Sequence, residues 1–150
     1  MAKEIERKFL VMDKSFTKMA NSVSLIKQAY ISTNPDSTVR VRIRGEQGFI
    51  TVKGRNQGAV RNEWEYPIPA ADAEEMAAAL AGGWSIEKER HLVDFEGFTW
   101  EVDEFHGRHE GLIVAEVEMP SANCQPALPP FIGEEVTGDP RYYNSTLAQN

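Results

Sequence analysis

Apolar and polar positions alternate with period two along most of this chain, the rhythm of strands whose two faces meet different surroundings. Over residues 3–11, Ile5, Phe9 and Val11 share one face and Glu4, Glu6 and Lys8 the other. The alternation recurs over residues 25–32, 38–44, 49–54, 60–68, 85–95, 98–105 and 112–119. Turn-forming residues separate these runs, at Asn34-Pro35-Asp36-Ser37, Gly45-Glu46-Gln47-Gly48, Glu96-Gly97 and the glycine-bounded stretch 107–111. One helix interrupts the meander. Asp72 with Glu75 three residues on predicts a capping box, Met76 and Leu80 a packed face, and Gly82-Gly83 the stop. A shorter helix is expected over 13–20. After Pro120 the chain reads as a Pro-rich connector through Pro126, Pro129 and Pro130, with a last helix beyond Asp139-Pro140. No repeat or low-complexity tract intervenes. The pattern predicts one mainly β (α+β) domain over 1–150, its eight antiparallel strands curled toward a barrel with a few outer helices.

The polar face of these strands is ionic. It carries Glu4, Glu6 and Lys8, then Arg40 and Arg42, Lys53, Glu63 and Glu65, Lys88 and Arg90, Glu101 and Asp103, and Glu116 and Glu118. A merely solvated face would mix in Ser, Thr, Asn and Gln. Neighbours of one sign, such as Arg40 with Arg42, repel unless a counter-charge lies on an adjacent strand or in a ligand. If the sheet curls with this face inside, carboxylates and cations share one cavity. Carboxylate clusters suit hard divalent metals, and Arg and Lys clusters suit phosphate oxygens. Together they describe a site for a metal-bound polyphosphate. Trp64, Tyr66 and Trp100 alternate away from that face and read as packing residues.

Composition narrows the partners. Sixteen Lys and Arg against 23 Asp and Glu give a net charge of -7, so nucleic acid and anionic membrane are repelled at long range. A polyanion must find a local basic cluster or bring cations. The single cysteine, Cys124, suits a reducing compartment. The segment 1–8 is charged from its third residue, so no leader is expected, and no apolar run is long enough to span a membrane. A cytoplasmic protein is the expectation. No P-loop motif is present, His91, His106 and His109 lack zinc-like spacing, and Cys124 has no base beside it.

The segment Glu4-Ile5-Glu6-Arg7-Lys8 resembles the N-terminal Glu-x-Glu-x-Lys signature of the CYTH, or triphosphate tunnel metalloenzyme, superfamily. The similarity continues through Gln28-Ala29-Tyr30, Val39-Arg40-Val41-Arg42, Thr51-Val52-Lys53, Glu63-Trp64-Glu65, Glu87-Lys88-Glu89-Arg90, Glu101-Val102-Asp103 and Glu116-Val117-Glu118, ending at Arg141-Tyr142-Tyr143-Asn144. The resemblance is strongest to short bacterial members with inorganic triphosphatase activity. It implies an eight-stranded antiparallel barrel with a charged lumen. Because the chain ends soon after the Arg141 segment, an open cup is the alternative shape.

The resemblance also implies roles. Glu4, Glu6, Glu116 and Glu118 would hold Mg²⁺ or Mn²⁺, with Glu63, Glu65 and Asp103 as further ligands or water-orienting groups. Lys8, Arg40, Arg42, Lys53 and Arg90 would bind the phosphate chain, and Arg141 would reach its end. Tyr30 and Lys88 form the candidate catalytic pair, Tyr30 as proton acceptor for water and Lys88 as a further phosphate-binding cation. The expected reaction converts inorganic triphosphate to pyrophosphate and phosphate. The alternatives are a class IV-type adenylate cyclase, a thiamine triphosphatase and a non-catalytic polyphosphate-binding module. Apolar outward faces with few helices to cover them also suggest a homodimer.

Overall fold

The computed structural model describes residues 3–150; Met1 and Ala2, in the segment read above as lacking a leader, lie outside the described residues. The antiparallel strands are β1 (Lys3–Val11), β2 (Ser22–Ser32), β3 (Thr38–Arg44), β4 (Gln47–Lys53), β5 (Val60–Ile68), β6 (Ile86–Phe95), β7 (Phe98–Phe105), β8 (Ile113–Glu118) and β9 (Ile132–Glu135). Eight of them pair in the cyclic order β1-β5-β4-β3-β2-β6-β7-β8 and back to β1. The barrel is therefore closed, not an open cup. Its last seam is short: β1 meets β5 at Lys3↔Asn62, Glu4↔Arg61 and Ile5↔Val60 only. Beyond that seam the free edge of β1 pairs with β9. This ninth strand lies past the Pro-rich connector, where four residues are too few to show a period.

Period two sets the two faces as expected, and both are packed. On the outside, Phe9, Val93, Trp100, Val102, Ala115 and Val117 form a core with Phe16 of α1 (Phe16–Met19) and with Phe131. On the opposite wall α2 (Ala70–Ala81) covers Ala29, Val41, Ile50 and Ile68. Inside the barrel, Ile86, Phe105 and Val114 pack against Leu147 of α3 (Asn144–Leu147), with Leu10 and Tyr30 beside them. Helix α3 thus stoppers one end of the lumen with apolar contact. A 3₁₀ turn at Pro140–Tyr142 precedes it. Among the described residues no helix is long and apolar enough to cross a membrane.

Helix α2 corrects the expected cap and packing face. It starts at Ala70 behind Pro69 with no side-chain cap, so Asp72 lies inside its first turn. Its buried positions are Ala73 and Ala77, whereas Leu80 is exposed. The cause is close approach to β4. A Cβ on Gly48 would stand 2.9 Å from the Ile68 carbonyl oxygen and 3.2 Å from Ala73 Cβ, so only small side chains fit between helix and sheet. Gly82 ends the helix in the left-handed region, φ 73°, as predicted. Trp64 and Tyr66, expected to pack, stand exposed on the outside of β5, where α2 does not reach; Trp100 is fully buried.

Candidate active site

The inward positions of the strands enclose a cavity of about 230 Å³. Strand β1 supplies Glu4, Glu6 and Lys8; β3 supplies Arg40, Arg42 and Arg44; β5 supplies Arg61, Glu63 and Glu65. Lys53 comes from β4, Lys88 and Arg90 from β6, Glu101 from β7, and Glu116 and Glu118 from β8. Strand β2 contributes Tyr30, and the C-terminal segment contributes Thr137, Tyr143, Asn144 and Ser145. Register explains the convergence, since Lys8 faces Glu116, Glu6 faces Glu118 and Tyr30 faces Arg40 across their ladders.

Three ionic groups organise the wall. In the first, Asp103 accepts from Lys88 Nζ at 2.7 Å, Arg90 Nε at 2.8 Å and Arg90 Nη2 at 2.9 Å. Burial alone would raise the Asp103 carboxyl, but Arg90 and Lys88 overcome that and hold it at about 2. Burial pulls Lys88 down to about 8 despite Asp103, with the Arg90 charge adding to the fall. In the second group Glu65 accepts from Thr51 Oγ1 at 2.7 Å, Arg42 at 3.2 Å and Arg40 at 3.3 Å. Burial, then the charges of Arg40 and Arg90, lower Arg42 to about 10. The Nε–H donors of Arg40 and Arg42 are buried without a protein acceptor. In the third, Lys53 Nζ lies 3.1 Å from Glu4 and 3.2 Å from Glu63.

The carboxylates are crowded in pairs. Glu6 stands within hydrogen-bond reach of Glu116, and a bond between two acids requires a proton. Burial and then the charges of Glu116 and Glu4 push Glu6 well above the usual carboxylate range. For Glu116 burial acts upward, but Lys8, the Glu6 hydrogen bond, Lys88 and Arg90 outweigh it and hold the carboxylate well down. Glu4 and Glu63 form a second such contact. Among the described residues no three His, Cys, Asp or Glu side chains already stand at coordination distance around one point. The donor chemistry nevertheless fits a hard divalent cation: oxygen-only acids face one another in pairs, and a cation between them would replace the shared proton.

Most residues singled out from sequence line this cavity; two do not. Asp103 sits behind the wall, its oxygens engaged by Lys88 and Arg90. Arg141 points outward, three-quarters exposed, and pairs with Asp139 in its own turn at 2.7 Å. Conversely, Glu101, Arg44, Arg61 and Asn144 line the cavity without having been assigned a role. Glu101, Arg44 and Arg61 continue the inward parity of their strands, so that signal was in the sequence. Asn144 follows a turn, where period two carries no information.

The CYTH domain family model matches residues 2–143. The chain belongs to the CYTH domain family. A CYTH relative from Acetivibrio thermocellus named inorganic triphosphatase is 49% identical over 150 residues, covering 100% of this chain and 96% of its own. One of the same name from Nitrosomonas europaea is 37% identical over 149 residues, covering 97% and 96%. The crystal structure of an inorganic triphosphatase superposes with a TM-score of 0.67 at 32% identity, covering 98% of each chain.

Proposed function

We propose that this CYTH protein is a cytoplasmic triphosphatase that hydrolyses inorganic triphosphate to pyrophosphate and phosphate with Mg²⁺ or Mn²⁺. Two buried guanidinium donors without acceptors, Arg40 Nε and Arg42 Nε, set in a small charged chamber, carry this reading. The chamber lies below the roughly 300–1,000 Å³ range of clefts for drug-sized organic ligands. Its aromatic rings are Tyr30 and Tyr143, and cations approach the Tyr143 ring, Lys8 at 5.9 Å and Arg61 at 5.7 Å. An adenine or thiazolium ring stacking on Tyr143 would compete with those cations. Full-length relatives named inorganic triphosphatase support the same substrate.

Glu4, Glu6, Glu63, Glu116 and Glu118, joined by Glu101, would hold the cations. A bound divalent cation supplies neutralisation of phosphoryl charge and a more acidic water. Lys8, Lys53, Arg40, Arg42, Lys88 and Arg90 would grip the non-bridging oxygens, while Glu65 and Asp103 keep the guanidinium groups aimed. Water oxygen bonds to the terminal phosphorus as the bridging P–O bond breaks, and pyrophosphate leaves with the bridging oxygen. Tyr30, acting as phenolate beside the Arg40 guanidinium, would receive the proton of water. Its oxygen lies beside Gln28 Nε2 at 3.4 Å and the Arg40 guanidinium, which place it against the cavity.

A homodimer is part of this reading, supported by Trp64 and Tyr66 exposed together on β5. The deciding assay supplies tripolyphosphate, ATP or thiamine triphosphate with Mg²⁺ or Mn²⁺ and identifies the products. Pyrophosphate with phosphate from tripolyphosphate, abolished by chelator, is expected. Cyclic AMP from ATP would point to the cyclase, and stoichiometric binding without turnover to a binding module.

A further inference from the structure

Resting on the triphosphatase reading, we infer that Asn144 is a positioning residue of the reaction, joining Lys88 and Tyr30 through one carbonyl oxygen. Asn144 Oδ1 accepts from Lys88 Nζ at 2.9 Å and from Gln28 Nε2 at 3.4 Å. The same Gln28 nitrogen reaches the Tyr30 phenol oxygen at 3.4 Å. Lys88 and Gln28 are 1% and 0% exposed, so water does not compete for these contacts.

The geometry matters for Lys88 above all. An ammonium carries three N–H donors on a flexible stem. Asp103 at 2.7 Å takes one and Asn144 takes a second, which leaves the third for a ligand in the cavity that Lys88 lines. With Asp103 alone the head could rotate about that contact. A donor whose direction is fixed before substrate arrives acts on charge that develops in the transition state. Gln28 extends the same restraint to Tyr30.

Anchorage of the C-terminal segment does not depend on this amide. Leu147 is buried against Ile86, Phe105 and Val114, and its carbonyl accepts from His109 Nε2 at 2.7 Å. Arg108 bonds the Ala148 carbonyl at 3.1 Å, and Asn56 bonds the Tyr143 phenol oxygen at 2.8 Å. The Asn144 side chain is free to serve the site.

The test compares Asn144→Leu and Asn144→Asp with the wild type by steady-state hydrolysis of tripolyphosphate and by thermal unfolding. Leucine keeps the bulk and removes the acceptor. Misplacement of a reacting group by about 1 Å can cost ~100-fold, so kcat should fall by roughly 10- to 100-fold, KM staying within about threefold. Aspartate keeps the acceptor and adds a negative charge, so kcat should recover to within about tenfold of wild type while KM rises, a crossed pattern that simple anchoring does not produce. Wild-type kcat in folded Asn144→Leu, or a matched loss of kcat in both variants, overturns the inference. Should Asn144→Leu not fold, the Asp variant alone decides it: retained kcat supports the role and lost kcat in a folded protein overturns it. A wild type that does not hydrolyse tripolyphosphate overturns the triphosphatase reading itself, a result separate from failure of the variants.

Discussion

Asp103 shows how far one residue can be read before its neighbours are known. It shares the inward parity of Glu101, and parity puts its side chain inside the barrel without stating its depth. Register then sets it against Arg90, with Lys88 beside it at 2.7 Å, where it is 1% exposed. Removing one partner of a buried ion pair leaves uncompensated charge and costs about 3–5 kcal/mol. Asp103→Asn should therefore lower the unfolding temperature of the metal-free protein, because Lys88 and Arg90 lose their common negative charge. Unchanged metal-free stability with weakened metal binding would instead make Asp103 a ligand. Tyr30 is tested separately. If its oxygen takes the proton of water, Tyr30→Phe should lower kcat by roughly 10²–10⁴-fold, the range for a general base. Turnover near wild type in the folded variant would pass that proton to a carboxylate or to bulk water.

At the scale of elements, the long strands were legible because alternation over seven or more residues has one solution, and β1, β3, β5 and β7 begin and end where the pattern says. Helix α2 was legible in its existence but only partly in its face, since Ala73 buries beside Gly48 of β4 and Ala77 against Ala29 and Val41, while Met76 packs partly beside them and Leu80 is exposed. Closure was not legible. It depends on a three-pair seam between β1 and β5, and on Glu6 N–H donating to the Ala59 carbonyl at 2.9 Å, contacts between segments that carry no mutual mark in sequence. The β6–β7 hairpin, by contrast, pairs eight residues on each strand. Local opening follows the number of bonds broken together. Amide exchange should accordingly be faster at Glu6, whose N–H bonds across the seam, than at His91 and Val102. Equal protection would mean that the barrel opens only as a whole.

Across the whole molecule, the acids that face the lumen make stability, pH and metal one linked system. Asp103, held at about 2 by Arg90 and Lys88 against burial, contributes stability that is present above its unfolded value near 3.8 and lost as pH falls through 2. Glu116, held well down by Lys8 and its bond from Glu6 against burial, acts in the same sense. Glu6 has the opposite sign. Burial and the charges of Glu116 and Glu4 raise it well above 4.5, so its contribution is complete below that value and fades as pH rises through the folded one. Glu63, Glu101 and Glu118 are also raised, each chiefly by burial, and add to that fading. Below the Lys88 value of about 8, metal-free protein should therefore lose stability as pH climbs through the raised values of these acids. A divalent cation binding among these acids would displace the proton on Glu6, which predicts two effects from one cause. Metal should raise the unfolding temperature more at pH 8 than at pH 5.5, and binding at pH 7 should release protons, seen in calorimetry as a heat that varies with the ionisation enthalpy of the buffer. Glu6→Gln should abolish most of that release. A binding heat independent of buffer, with equal stabilisation at both pH values, would place the cation away from the Glu6–Glu116 pair.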